Sequence, residues 1–132
     1  MSGETDLQAL LTNLTPVLTE GVYVFCSQSE LDEDALSKWT PLAMIREPEG
    51  WTWVLPLAQA QAANLPVEGR FRCIRLDVHS SLEAVGLTAA VSTVLAQRGI
   101  SANMLAGFYH DQILVPEGDA QRALDCLIRI AN

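Results

Sequence analysis

Arg70-Phe-Arg-Cys-Ile-Arg-Leu-Asp-Val-His79, running straight into Ser80-Ser-Leu-Glu83, is the stretch on which the fold turns. Phe71, Cys73, Ile74, Leu76 and Val78 alternate with Arg72, Arg75 and Asp77 near the period of two that suits a strand with one wetter face. Ser80-x-x-Glu83 then has the capping-box pattern, in which the Ser80 hydroxyl accepts from the Glu83 amide while the Glu83 side chain reaches back. Leu87, Val91, Val94 and Leu95 fall on one face of the helix this predicts, and Gly99 supplies a left-handed stop. Two apolar strands follow, Met104 to Phe108 and Gln112 to Val115. A last helix, capped by Asp119, carries the stripe Ala120, Ala123, Leu124, Leu127, Ile128 and Ala131. The order is βαββα. With both helices on one face of an antiparallel sheet this is an α+β, ferredoxin-like layer, its first strand lying between the third and a fourth that this half lacks.

Upstream, Thr5-Asp6-Leu7-Gln8 reads as a capping box, and Leu7, Leu10, Leu11 and Leu14 form one stripe of a helix that ends before Pro16. Val22-Tyr-Val-Phe-Cys26 is β-branched and aromatic, which suits a strand buried on both faces, and it is the expected source of the missing fourth strand. Glu30 to Lys38 is a loop or a short helix. Leu42 to Arg46 and Trp51 to Leu57 make a hairpin around Glu47-Pro-Glu-Gly50, and Ala58 to Asn64 is a short helix. Pro66 to Gly69 divides the chain into segments 1–66 and 67–132. With one strand extra, the first segment reads α-β-β-α, the element order of the second without its leading strand.

Composition excludes whole classes of function. The 132 residues can bury a core without cross-links, and 49% apolar residues leave surface that a partner subunit would cover, so a homodimer is expected. Sixteen acidic against eight basic residues give a net charge of −8, which repels nucleic acid and anionic lipid. Acids stand where a signal peptide would be basic, and no apolar run approaches the ~20 residues of a membrane span, so a cytosolic location is expected. Cys26, Cys73 and Cys126 lack metal-ligand spacing and read as reduced, structural thiols. No glycine-rich phosphate loop, paired-carboxylate signature or G-x-S-x-G turn is present, and no cofactor is implied. Trp39, Trp51 and Trp53 read as core and interface aromatics.

Chain direction in a βαββα layer brings the end of the first strand, the start of the first helix and the strand-to-strand turn to one rim. His79, Ser80, Ser81, His110 and Asp111 are expected there. The helix start adds unpaired amides suited to a carboxylate, and Gly86 would let a ligand or another backbone approach closely. Plainer roles fit the same residues: Ser80 and Glu83 as caps, Asp111 as turn chemistry, His79 as a hydrogen-bonded structural histidine. A metal site at His79, His110 and Asp111 is disfavoured because neighbours on a strand point to opposite faces. A Ser81–His110–Asp111 hydrolytic relay is disfavoured because Asp111 directly follows His110 and would struggle to orient it.

The run His79-Ser-Ser-Leu-Glu-Ala-Val-Gly-Leu-Thr-Ala-Ala90, with Gly99-Ile-Ser-Ala-Asn103 and Ala106-Gly-Phe-Tyr-His-Asp111, resembles the ACT domain of the aspartokinase-like variety. Gly21-Val-Tyr-Val-Phe25 and Arg46-Glu-Pro-Glu-Gly50 resemble the amino-terminal segment of small bacterial proteins that carry this ACT type. The resemblance implies two interlocked ACT-like halves and a non-catalytic regulatory protein that binds an amino acid or similar metabolite where two ACT units meet. It places ligand contacts on His79, Ser80, Ser81, Val85 and Gly86, with Asn103, His110 and Asp111 opposite. The Asp-x-Pro-Gly loop of many amino-acid-regulated ACT domains is replaced here by His79-Ser80-Ser81-Leu82. A structural or protein-interaction module without a ligand is the alternative.

Overall fold

A computed structural model describes residues 6–78, 81 and 83–131. In chain order its regular elements are α1 (Leu7–Asn13), β1 (Pro16–Leu18), β2 (Tyr23–Gln28), α2 (Glu33–Lys38), β3 (Ala43–Glu47), β4 (Gly50–Pro56), α3 (Leu57–Ala62), β5 (Glu68–Leu76), α4 (Leu87–Gln97), β6 (Asn103–Ala106), β7 (Asp111–Pro116) and α5 (Ala120–Ala131), with a 3-10 turn at Glu117–Asp119. By packing they form two units, one of Met1–Glu20 with Arg72–Asn132 and one of Gly21–Phe71.

The unit of Gly21–Phe71 is a small ferredoxin-like sheet in the order β3, β4, β2 and the start of β5. β3 and β4 form the expected hairpin, paired from Ala43↔Val54 to Glu47↔Gly50. β2 alternates instead of being buried on both faces. Val24 and Cys26 are buried, whereas Tyr23 and Phe25 are only half-buried and Ser27 is exposed. The reason is that α2 and α3 cover a single face, where Val24, Cys26, Ala35, Trp53, Leu55 and Ala60 make the core. Glu30 to Lys38 resolves into a short helix, α2, capped by Asp32, whose Oδ1 accepts from the Asp34 amide at 3.0 Å.

The other unit has the same sheet order, β6, β7, β5 and then β1. β1 pairs antiparallel with the end of β5 at Pro16↔Leu76, Val17↔Arg75 and Leu18↔Ile74. Here the expectation that Val22 to Cys26 completes this sheet is corrected: Pro16–Leu18 does so, and β2 pairs with the start of β5, at Tyr23↔Phe71 and Phe25↔Glu68. Pro16 ends the first helix as expected, but it also opens a strand, a position where its missing N–H costs no ladder bond. Leu10 and Leu14 from the α1 region, Leu87, Val91 and Leu95 of α4, and Ala123, Cys126 and Leu127 of α5 pack on Ile74, Leu76, Ile113 and Val115. Most of these inward positions are the stripes legible in the sequence, but on α5 Cys126 faces the core where the stripe expected Ile128, which is 40% exposed.

Three helix starts differ from expectation. Asp6 caps α1 by accepting from the Gln8 amide at 3.0 Å; Thr5 lies outside the described residues. Asp119 sits in the 3-10 turn and its carboxylate accepts from Arg122 Nη2 at 2.9 Å. The largest difference is at α4, which begins at Leu87 and not near Ser80. The Ser81 hydroxyl accepts from the Glu83 amide at 3.1 Å and the Ala84 amide donates to the Ser81 carbonyl at 3.0 Å, closing a local turn that competes with helix. Gly86, at φ +106, is the residue before the helix. What approaches it is α1: a Cβ there would lie 3.1 Å from Leu7 Cδ2.

Cys26, Cys73 and Cys126 are free and buried. Burial pushes the Cys26 and Cys73 thiols above their ordinary range, which suppresses thiolate chemistry. Cys73 Sγ donates to Gln112 Oε1 at 3.3 Å.

Candidate functional site

β5 and β6 both run toward the same end of their sheet, and the Gly107–His110 turn joins β6 to β7 there. That end is where β5 delivers Asp77, whose amide donates to the Thr15 carbonyl at 2.8 Å. Arg75 and Asp77, two residues apart, form a bidentate ion pair, Arg75 Nη2 donating to Asp77 Oδ2 at 3.0 Å and Nε to Oδ1. This pairing, with the nearby His110 as a weaker contribution, holds the Asp77 carboxyl below the usual carboxylate range.

The turn itself is closed by the Gly107 amide donating to the His110 carbonyl at 3.1 Å. His110 Nδ1 is buried and has no hydrogen-bond partner among the described residues. Asp111 opens β7, paired with Ala106, and burial pushes its carboxyl above the ordinary range. No cation pairs with Asp111 among the described residues. A half-buried carboxylate without a counter-charge and a buried ring nitrogen without a partner both lack at this rim what a polar ligand would bring.

Of the sequence-predicted residues, the structure brings His110 and Asp111 together on this rim. Ser81 is half-buried in the turn that follows β5, Val85 is 83% exposed, and Gly86 precedes α4. Asn103 sits at the other end of β6, opposite Leu114, three residues and about 10 Å along the strand from Ala106. His79 and Ser80 lie outside the described residues. Sequence reasoning passed over Asp77 and its Arg75 partner, although their i, i+2 spacing on a strand places them on one face. Among the described residues no group of three or more His, Cys, Asp or Glu is placed to hold a metal ion.

Both units repeat one sheet order, and the sequence carries two family matches: an ACT domain model matches residues 2–72 and a second ACT domain model residues 67–129. The chain belongs to the ACT domain family. ACT domains are regulatory modules that bind small molecules. A protein of unknown function from Vibrio cholerae, described as a possible transport protein, is 49% identical over 96% of each chain, with a TM-score of 0.87. A protein from Agrobacterium tumefaciens is similar at 17% identity over 89% of each chain, TM-score 0.74. The regulatory subunit of aspartate kinase from Thermus thermophilus shares the fold at 10% identity, covering 91% of this chain and 97% of its own, TM-score 0.66. No match is found among curated proteins. Among the described residues no helix is long and apolar enough to cross a membrane.

Proposed function

We propose that this protein is a non-catalytic regulatory ACT protein that binds an amino acid at the rim of Ser81, His110 and Asp111, in the cytosol and as a homodimer. In this reading segments 1–66 and 67–132 supply one ACT domain each, interlocked through Pro16–Leu18 of the first, which completes the sheet of the second, and His79, Ser80, Val85 and Gly86 complete the contacts. The observation that carries it is Asp111, a half-buried carboxylate with no cation opposite it among the described residues, in a family built to bind small molecules. A ligand ammonium would supply that charge. The Ser81 hydroxyl, accepting from the Glu83 amide, still has its own hydrogen to donate to a ligand carboxylate.

A thermal-unfolding screen against the twenty amino acids at millimolar concentration tests this. One of them is expected to raise the midpoint by several degrees, because a ligand at ~100 times its dissociation constant stabilises by ~2.7 kcal/mol. Asp111→Asn is expected to weaken that binding by about 1.5–3 kcal/mol, the range for a hydrogen bond to a charged group. An unchanged affinity removes Asp111 from the site, and a flat screen on folded protein removes the ligand.

The pH dependence has a definite sign. Asp111's carboxyl is raised above 3.8, so the folded protein holds this proton more tightly than the unfolded chain. Its stabilising contribution is complete below the unfolded value and is lost as pH rises through the folded one. Asp111→Asn should flatten stability against pH across that window. Affinity for an ammonium ligand should rise with pH there, as the carboxyl ionises. Calorimetry in buffers of different ionisation enthalpy would register the proton released on binding.

A second reading also has an observation behind it. Phe108 and Tyr109, stacked edge to face at 4.9 Å, are 62% and 61% exposed on the turn beside the rim. Paired exposed aromatics of this kind suit a protein interface. If this turn joins two subunits, replacing Phe108 and Tyr109 by Ser shifts sedimentation from dimer to monomer with the fold kept. An unchanged dimer places the interface elsewhere.

A further inference from the structure

We propose that the unit of Gly21–Phe71 carries a binding site of its own, for a small monocarboxylate with an aromatic or apolar body, in the cavity between α2 and α3. The cavity measures about 500 Å³, within the ~300–1,000 Å³ of small-molecule sites. It exists because both helices are only six residues long and meet it with alanines. Ala35, Ala62 and Ala63 line it where longer side chains would have closed the gap. Trp39 and Leu65 give it an apolar wall, and Trp39 is held on edge against the fully buried Trp53, ring centres 5.1 Å apart at 87°. An aromatic ring fixed in this way offers contact area at little entropic cost on binding.

The polar groups of the lining decide the ligand's charge. Gln28 Oε1 already accepts from Trp53 Nε1 at 3.0 Å, which leaves both Gln28 amide hydrogens and one oxygen lone pair for a ligand. Gln59 is committed to Thr40, accepting from its amide at 3.0 Å and donating to its hydroxyl at 2.9 Å. Lys38 is the cation among the lining residues. An ammonium and an amide donor beside an apolar wall select a carboxylate attached to a flat or greasy body. Asp32 in the same lining, one oxygen engaged as the α2 cap, repels a second negative charge and restricts the ligand to a monoanion. None of these residues belongs to the rim.

Titration of the full chain with 3-phenylpropionate, followed by tryptophan fluorescence, tests the proposal. All three tryptophans lie in this unit and Trp39 lines the cavity, so a saturable change is expected. The uncharged 3-phenylpropionamide should bind at least tenfold more weakly, as should 3-phenylpropionate to Lys38→Gln. Ala62→Leu, at an exposed helix position that leaves the core intact, should fill the cavity and abolish binding. Asp111→Asn should leave the titration unchanged, and this separates failure here from failure at the rim. The proposal is overturned by the absence of a saturable change, by equal binding of acid and amide, by undiminished binding in folded Lys38→Gln or Ala62→Leu, or by loss of binding in Asp111→Asn.

Discussion

Trp53→Ala is expected to destabilise the unit of Gly21–Phe71 by about 3–5 kcal/mol, the range for emptying a buried aromatic site. Trp53 is fully buried at the centre of β4, facing Cys26 on one neighbouring strand and Met44 on the other. The buried core around it is Val24, Cys26, Ala35, Leu55 and Ala60, with half-buried side chains such as Trp39, Met44 and Leu65 packed against it. With two alanines among those five buried residues, the space left by an indole can be filled only by shifts of the larger half-buried side chains, so a cavity term adds to the lost transfer free energy. The variant also removes the donor to Gln28 Oε1 and the ring against which Trp39 stands. Trp53→Phe, which keeps a ring and loses only the N–H and some area, should cost much less. Urea unfolding of the three proteins, read by near-ultraviolet dichroism, distinguishes these terms. A loss below about 1.5 kcal/mol for Trp53→Ala would mean that the unit repacks, and that the fixed Trp39 wall is not a property of the fold.

The βαββα order was legible because its signals are long and mutually consistent. Alternation over Phe71 to Val78, the Leu87-Val91-Leu95 and Ala123-Leu127 stripes, and Gly99 all point to the same elements. The residues that misled share a different property, in that each has two local uses. Ser80-x-x-Glu83 satisfies the capping-box pattern, yet the Ser81 hydroxyl reaches the Glu83 amide first and spends the segment on a turn, delaying α4 to Leu87. Pro16 stops one helix and also opens β1, a three-residue strand too short for any periodicity to register. Its partner, the end of β5, lies more than fifty residues away, so pairing could only be found in three dimensions. Of the candidate site, His110 and Asp111 were legible from chain direction alone. The cavity beside Trp39 was not, because it is made by what Ala35, Ala62 and Ala63 lack, and alanine in a helix looks only like good helix propensity.

Gly50→Ala is expected to cost about 2–6 kcal/mol, although it adds a single methyl group at a hairpin turn. Two penalties coincide there. Gly50 has φ +144, a conformation that L residues rarely adopt and that costs of order 1–3 kcal/mol when imposed. A Cβ at this position would also lie 2.2 Å from the Gln28 carbonyl oxygen and 2.7 Å from Ser29 Cα. Both are main-chain atoms at the end of β2, so relief requires β2 and β4 to part where Gln28 pairs with Trp51, adding the ~1–3 kcal/mol of an overpacked site. Gly21 provides the control, with φ +96 and nothing within 4 Å of its built Cβ. Gly21→Ala should therefore show the backbone penalty alone, about 1–3 kcal/mol, and the difference between the two variants measures the clash. Because Gln28 also lines the cavity, Gly50→Ala should weaken 3-phenylpropionate binding at temperatures where the protein remains folded, whereas Gly21→Ala should not. Equal unfolding free energies for the two variants would show that β2 yields to the methyl group without cost, and the close approach of the two strands would then contribute nothing to holding Gln28 in place.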